Sequence, residues 1–135
     1  MSGGIALRNE WEPRVLSIVR IMVGLLFMEH GTAKLLGFPT AAMTPPAFGL
    51  IWFAGAIELV GGALVALGLF TRVAALVMSG EMAVGYFMSH APRNFYPLLN
   101  QGDAAVLYCF IFLYLAVAGG GSWSLDRLMR HDRRS

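Results

Sequence analysis

Residues 48–90 read FGLIWFAGAIELVGGALVALGLFTRVAALVMSGEMAVGYFMSH, and this stretch decides the fold. It holds two apolar runs, Phe48 to Leu69 and Val73 to His90. Each is close to the roughly 20 residues that cross a bilayer as a helix. Between them stand only Phe70-Thr71-Arg72. So short a link cannot recross a membrane, so the runs form an antiparallel helical hairpin. Each run carries one carboxylate near its middle, Glu58 and Glu81. A charge at mid-bilayer costs about 2.5–3.5 kcal/mol on insertion scales, so such residues face the bundle interior and find partners there.

Working outward, two further runs have the same character. Val15 to Leu36 precedes the breakers Gly37-Phe38-Pro39, and Asp103 to Ala118 precedes Gly119-Gly120-Gly121. Thr44-Pro45-Pro46 stands before the hairpin and Pro92 after it. The whole chain of 135 residues is 57% apolar and 13% charged. An average soluble domain has about 25% charged residues. The mean hydropathy is +0.64. This composition excludes a disordered chain, and so small a globule has too little interior to hide this much apolar surface. The expected fold is all-α: a polytopic membrane protein with a four-helix transmembrane bundle over residues 15–120. Residues 1–14 form an N-terminal segment and 121–135 a basic tail. Closed barrels are the other permitted membrane structure, but these runs are too long for barrel strands. Gly24, Gly31, Gly61, Gly62 and Ala66 permit close helix contact.

Four spans put both ends of the chain on one side. That side holds Arg8, Arg14, Arg72, Arg127, Arg130, Arg133 and Arg134, against Lys34 and Arg93 on the other. The positive-inside rule then places both termini in the cytoplasm of a bacterial inner membrane. The basic tail suits an anionic membrane surface better than nucleic acid. Ser124 is an expected N-cap for a short surface helix in that tail, with Asp126 in its first turn.

The candidate site residues are the polar ones in or at the ends of the spans: Arg20, His30, Lys34, Glu58, Glu81, His90 and Asp103. At 100° per residue, Arg20, Gly24, His30, Gly31 and Lys34 share one face of the first helix, expected to be interior, while Glu29 points the other way. Two carboxylates in low dielectric cannot both ionise cheaply, so Glu58 and Glu81 share a proton or take a cation, with Arg20, Lys34 and the histidines available. His30, His90, Asp103 and Lys34 fall toward the non-cytoplasmic end and could line a pocket there. Histidine titrates near neutrality and passes protons. No metal site is expected, since the paired Glu-x-x-His pattern of di-iron bundles is absent. Nucleotide-binding and zinc motifs are absent too. The lone Cys109 cannot form an internal disulfide.

The chain resembles the DoxX-like family of small four-helix membrane proteins. The resemblance rests on Arg20-x3-Gly24-x2-Phe27-x2-His30-Gly31-x2-Lys34-Leu35, on Glu58-x2-Gly61-Gly62-x5-Gly68-x2-Thr71-Arg72-x-Ala74-Ala75, on Met82 through His90 and Phe95, and on Gly119 to Asp126. The family usually opens its last helix with glutamate, where this chain has Asp103. The resemblance implies a membrane subunit of a redox complex, quinone-linked, that receives electrons from a partner protein. His30, Glu58, Glu81 and His90 would handle protons, and Arg20, Lys34 and Asp103 would hold the quinone. Two other readings stay open: a non-enzymatic anchor or assembly factor for partner enzymes, and a small solute or metal carrier. A homo-oligomer fits any of the three.

Overall fold

The computed structural model describes residues 2–41 and 44–132, and among them there is no strand. Arg133 and Arg134 of the basic tail lie outside the described residues. The helices are α1 (Ser2–Leu36), α2 (Leu50–Leu67), α3 (Thr71–Gly85), α4 (Pro97–Asn100), α5 (Asp103–Ala118) and α6 (Leu125–Asp132). A π-helical turn, Tyr86–His90, extends α3 without a break. Two helices, α1 and α2, are long and apolar enough to cross a membrane; α5 is a shorter apolar helix.

The first helix starts far earlier than the apolar run that begins at Val15. Charge marks where a helix leaves an apolar medium, not where its hydrogen bonding stops. Ala, Leu, Arg and Glu are all good helix formers, and Arg8 pairs with Glu12 one turn on at 3.9 Å. The arginine at 14 lies over the Trp11 ring, 5.1 Å from its centroid. Pro13 lies inside the helix.

Packing proceeds in pairs. The first two helices lie along each other, α3 lies along α5, and the α2–α3 hairpin joins the pairs. The glycines make the first pairing possible. A Cβ on Gly24 would come within 2.5 Å of the Ala66 backbone nitrogen, and one on Gly31 would meet that of Leu59 at the same distance. The core between the pairs is Val23, Phe27, Val65, Ala74, Ala75, Met78, Phe112 and Leu115. Phe27 stands edge-on to Tyr108 and Phe112, with ring centroids 4.8 and 4.7 Å away. The outward faces are also apolar: Ile18, Met22, Leu76, Val77, Phe110 and Val117 are all exposed.

The hairpin closes with a Schellman cap. Gly68 has φ +70°, and Leu69 N and Gly68 N donate to the Leu64 and Val65 carbonyls. The tail then folds back on this end. Arg20, 1% exposed, donates to the Gly120 and Trp123 carbonyls at 2.9 and 2.8 Å. Ser17 donates to the Gly120 carbonyl and accepts from Trp123 N. Asp126 caps the start of α3: its two carboxylate oxygens accept from Phe70 N and Thr71 N at 2.8 and 3.0 Å. Ser124 caps α6 as expected, its hydroxyl accepting from Arg127 N.

Candidate functional site

Three of the predicted residues come together. Lys34 leaves the last turn of α1 and turns inward to Glu58, near the middle of α2. The ammonium lies 2.6 and 2.8 Å from the two carboxylate oxygens. The lysine side chain is 15% exposed and the glutamate side chain 3%. Gly55, one turn before Glu58 on α2, makes room: a Cβ there would sit 2.7 Å from the Lys34 Cβ. Glu81, from α3, brings its carboxyl close enough to interact electrostatically with both Glu58 and Lys34. Glu81 Oε2 is buried and receives no donor among the described residues. An ammonium paired with a carboxylate is the arrangement that a charge inside apolar helices requires.

Arg20 does not join this cluster. Fourteen residues of α1 separate it from Lys34, about 21 Å along the axis. Its guanidinium is spent on the tail carbonyls instead. Nη1 and Nη2 clamp the tail at the hairpin end, while the buried Nε has no partner among the described residues.

The histidines also part company. His30 is exposed, although its helical angle suggested an interior position. Its neighbour Gly31 packs on Leu59 of α2, and His30 points about 100° away from that contact. Its ring faces Phe27 and Tyr108, with centroids 6.0 and 6.5 Å away. With Glu29, Ala33, Pro39 and Thr40 it lines a groove of about 120 Å³. His90 ends the π-helical turn, packed on Tyr86. Its Nδ1 donates to the Asn100 carbonyl at 3.0 Å. Asp103 opens α5 at the surface, where a carboxylate complements the helix dipole. The common pocket expected for His30, Lys34, His90 and Asp103 is thus divided among a groove, an interior ion pair, a loop anchor and a helix start.

Asn100 escaped the reading of the sequence. It is 1% exposed and organises the 91–102 connection. Its amide donates to the Tyr86 hydroxyl and the Asn94 carbonyl, and its side-chain oxygen accepts from Gly102 N. Asn-Gln-Gly ahead of an apolar run reads as an ordinary turn, so nothing local marks the residue as buried.

Asp126, outside the apolar segments, is held below the ordinary carboxylate range. Burial pushes its carboxyl up, but hydrogen bonds from Thr71 and Phe70 and the nearby Arg130 charge outweigh that. Arg72 stands at the start of α3, beside the hairpin turn. Its guanidinium donates to the Val117 carbonyl, in the last turn of α5. Among the described residues no group of three or more His, Cys, Asp or Glu could hold a metal ion.

Comparison with known proteins places this architecture. An uncharacterized protein of Haemophilus influenzae is 42% identical over 127 residues, covering 87% of this chain and 92% of its own length. The inner membrane protein YqjF of Escherichia coli is 28% identical, covering 83% of this chain and 89% of its own. CatD of Bacillus subtilis, provisionally named an oxidoreductase, is 26% identical over 81% of this chain and 82% of its own. No solved structure matches. The DoxX family model matches residues 15–91, which hold the Lys34–Glu58–Glu81 cluster and the whole hairpin. The chain belongs to the DoxX family.

Proposed function

We propose that this chain is a multi-pass inner-membrane subunit of a quinone-linked redox complex, and that the Lys34–Glu58–Glu81 cluster is its proton-handling site. The observation that carries the reading is the cluster itself: a buried Lys34–Glu58 ion pair with the buried, unpartnered Glu81 Oε2 on the neighbouring helix, among apolar helices. In this reading α1, α2, the helical run from Thr71 through His90, and α5 cross the bilayer. The exposed apolar faces support that placement. Helix α1, the hairpin and the tail meet at one end through Arg20, Gly68 and Asp126. That end also carries the arginine excess, so it is the cytoplasmic one. The name of CatD supports the redox reading.

A quinone, when bound, supplies a carbonyl acceptor that takes up electrons and protons together. The exposed His30 fits such an acceptor, since a neutral imidazole offers one N–H. Its groove is too small to enclose a whole ligand, well below the roughly 300–1,000 Å³ of enclosed sites. The ring would therefore rest partly against lipid, beside His30, Ala33 and Pro39. His30 positions the carbonyl, and Glu58 and Glu81 store and pass the proton. Electrons come from a partner protein.

The test uses purified protein in mild detergent with a short-tailed ubiquinone as probe. Native mass spectrometry should show the quinone retained by the wild type and lost from His30→Ala. Membranes carrying Glu81→Gln should show slowed quinone-linked turnover with the bundle still folded. The reading fails if the quinone is not retained and turnover is unchanged in both variants. If stability alone shifts, the chain is an anchor for partner enzymes; flux of a solute or metal into sealed vesicles would instead mark a carrier.

A further inference from the structure

At the hairpin end, about three helical turns from the Lys34–Glu58–Glu81 cluster, the tail and α3 line an open cavity of about 280 Å³. We infer that this cavity binds the headgroup of an acidic phospholipid, with Arg72 and Arg130 as its ligands. The inference rests on the membrane placement proposed above, but not on the redox reading.

The two arginines reach the cavity from different elements, the first turn of α3 and the middle of α6. One nitrogen of Arg72 is committed to the Val117 carbonyl, which fixes the direction of the guanidinium. Its other donors face Gly119, where only the absence of a side chain leaves room. A Cβ on Gly119 would sit 3.3 Å from Nη2. The planar donor fork of arginine matches phosphate oxygens in a way an ammonium does not. One carboxylate, that of Asp126, also lines the cavity. Its oxygens accept from Phe70 N and Thr71 N and its charge is offset by the nearby Arg130, so the two arginines still leave the cavity with a net positive charge.

The rest of the lining tells a lipid from a free anion. Phe70, Val73 and Met129 are exposed apolar residues at the same cavity. A small inorganic anion has no use for them, whereas a glycerophospholipid places acyl chains directly beside its phosphate. Trp123, also exposed, stands on the same segment, where an aromatic ring favours the headgroup zone. Basic pockets on the cytoplasmic face between membrane helices are a recurring site for acidic headgroups. A volume of about 280 Å³ suits a headgroup and leaves the chains outside.

The experiment is native mass spectrometry of the full chain after delipidation. Phosphatidylglycerol and phosphatidylcholine of identical acyl chains are supplied at equal concentration. The wild type should retain phosphatidylglycerol preferentially. Arg130→Gln, which breaks no hydrogen bond described here, should lower that preference about fivefold. Arg72→Gln should do the same, with helicity by circular dichroism confirming the fold. Arg127→Gln, whose residue does not line the cavity, should leave the preference intact. Equal loss with Arg127→Gln would mean diffuse surface charge and overturn the site. So would equal retention of the two lipids by the wild type. Stabilisation by inorganic phosphate alone, matching that by phosphatidylglycerol, would overturn the lipid assignment. Failure of the membrane placement shows separately, as protein recovered from cells without detergent.

Discussion

Lys34 and Glu58 depend on each other more than the fold depends on either. Removing one partner of a buried ion pair strands the other charge, which costs about 3–5 kcal/mol, whereas replacing both by apolar residues of similar volume is often neutral. Lys34→Ala should therefore lower the unfolding midpoint in detergent sharply. Lys34→Met combined with Glu58→Leu should recover most of the loss while abolishing any proton-handling role. A double mutant as unstable as Lys34→Ala would refute the pairing. Asp126 gives a second residue-scale prediction, in pH. Its carboxyl is held below the ordinary range by Thr71, Phe70 and Arg130 despite burial. A depressed carboxylate contributes stability that is complete above the unfolded-state value and is lost as pH falls through the lower folded-state value. Acid should thus loosen the start of α3, and Asp126→Asn should flatten that acid limb in a pH series of thermal melts. Asp126→Ala should also lose about 1 kcal/mol at neutral pH, the usual worth of a helix cap.

Among the elements, the α1–α2 pair sets how closely the bundle can pack. Gly24 and Gly31 press against the α2 backbone, and a Cβ on Gly62 would come within 2.8 Å of Met28 N. These contacts are with backbone, so no rotamer change relieves them. Gly24→Val or Gly62→Val should force the helices apart and destabilise by about 1–3 kcal/mol, the range for overpacked cores. Gly80, on α3, has open space where its Cβ would go. Gly80→Ala should be neutral or stabilising by up to about 1 kcal/mol, because alanine is the better helix former. Melting temperatures of the three variants side by side check both halves of the argument. These glycines were visible in the sequence as small residues on apolar helices. Which neighbour each one touches was not, because that depends on the crossing of two helices.

For the whole molecule, the tail acts as a clasp. Arg20 and Ser17 from α1 bond to Gly120 and Trp123 across about 100 residues of chain, and Gly68 from the hairpin bonds to Asp126 of the tail. Truncation after Gly121 removes the Trp123 carbonyl and the Asp126 cap, leaving part of a buried guanidinium unpaired. That truncation should abolish a cooperative melt and expose the hairpin to proteolysis. Truncation after Asp132 should change neither. If the shorter chain melts like the full one, the clasp is ornamental and Arg20 needs another explanation.

What the sequence determined by itself is the class of molecule and the cast of residues. Apolar run length, the three-residue link before Val73 and the placement of Glu58 and Glu81 follow from local chain physics: a helix needs about 20 residues to cross a bilayer, and a buried charge needs a partner. What only the tertiary structure decided is the choice of partner. Lys34 took Glu58, Arg20 took the tail carbonyls, His90 took Asn100, and His30 was left at the edge of a groove. Helical periodicity fixes the direction of a side chain on its own helix. The residue it meets depends on the depth and crossing of a second helix, which are set by close glycine packing and by a tail that returns from the far end of the chain.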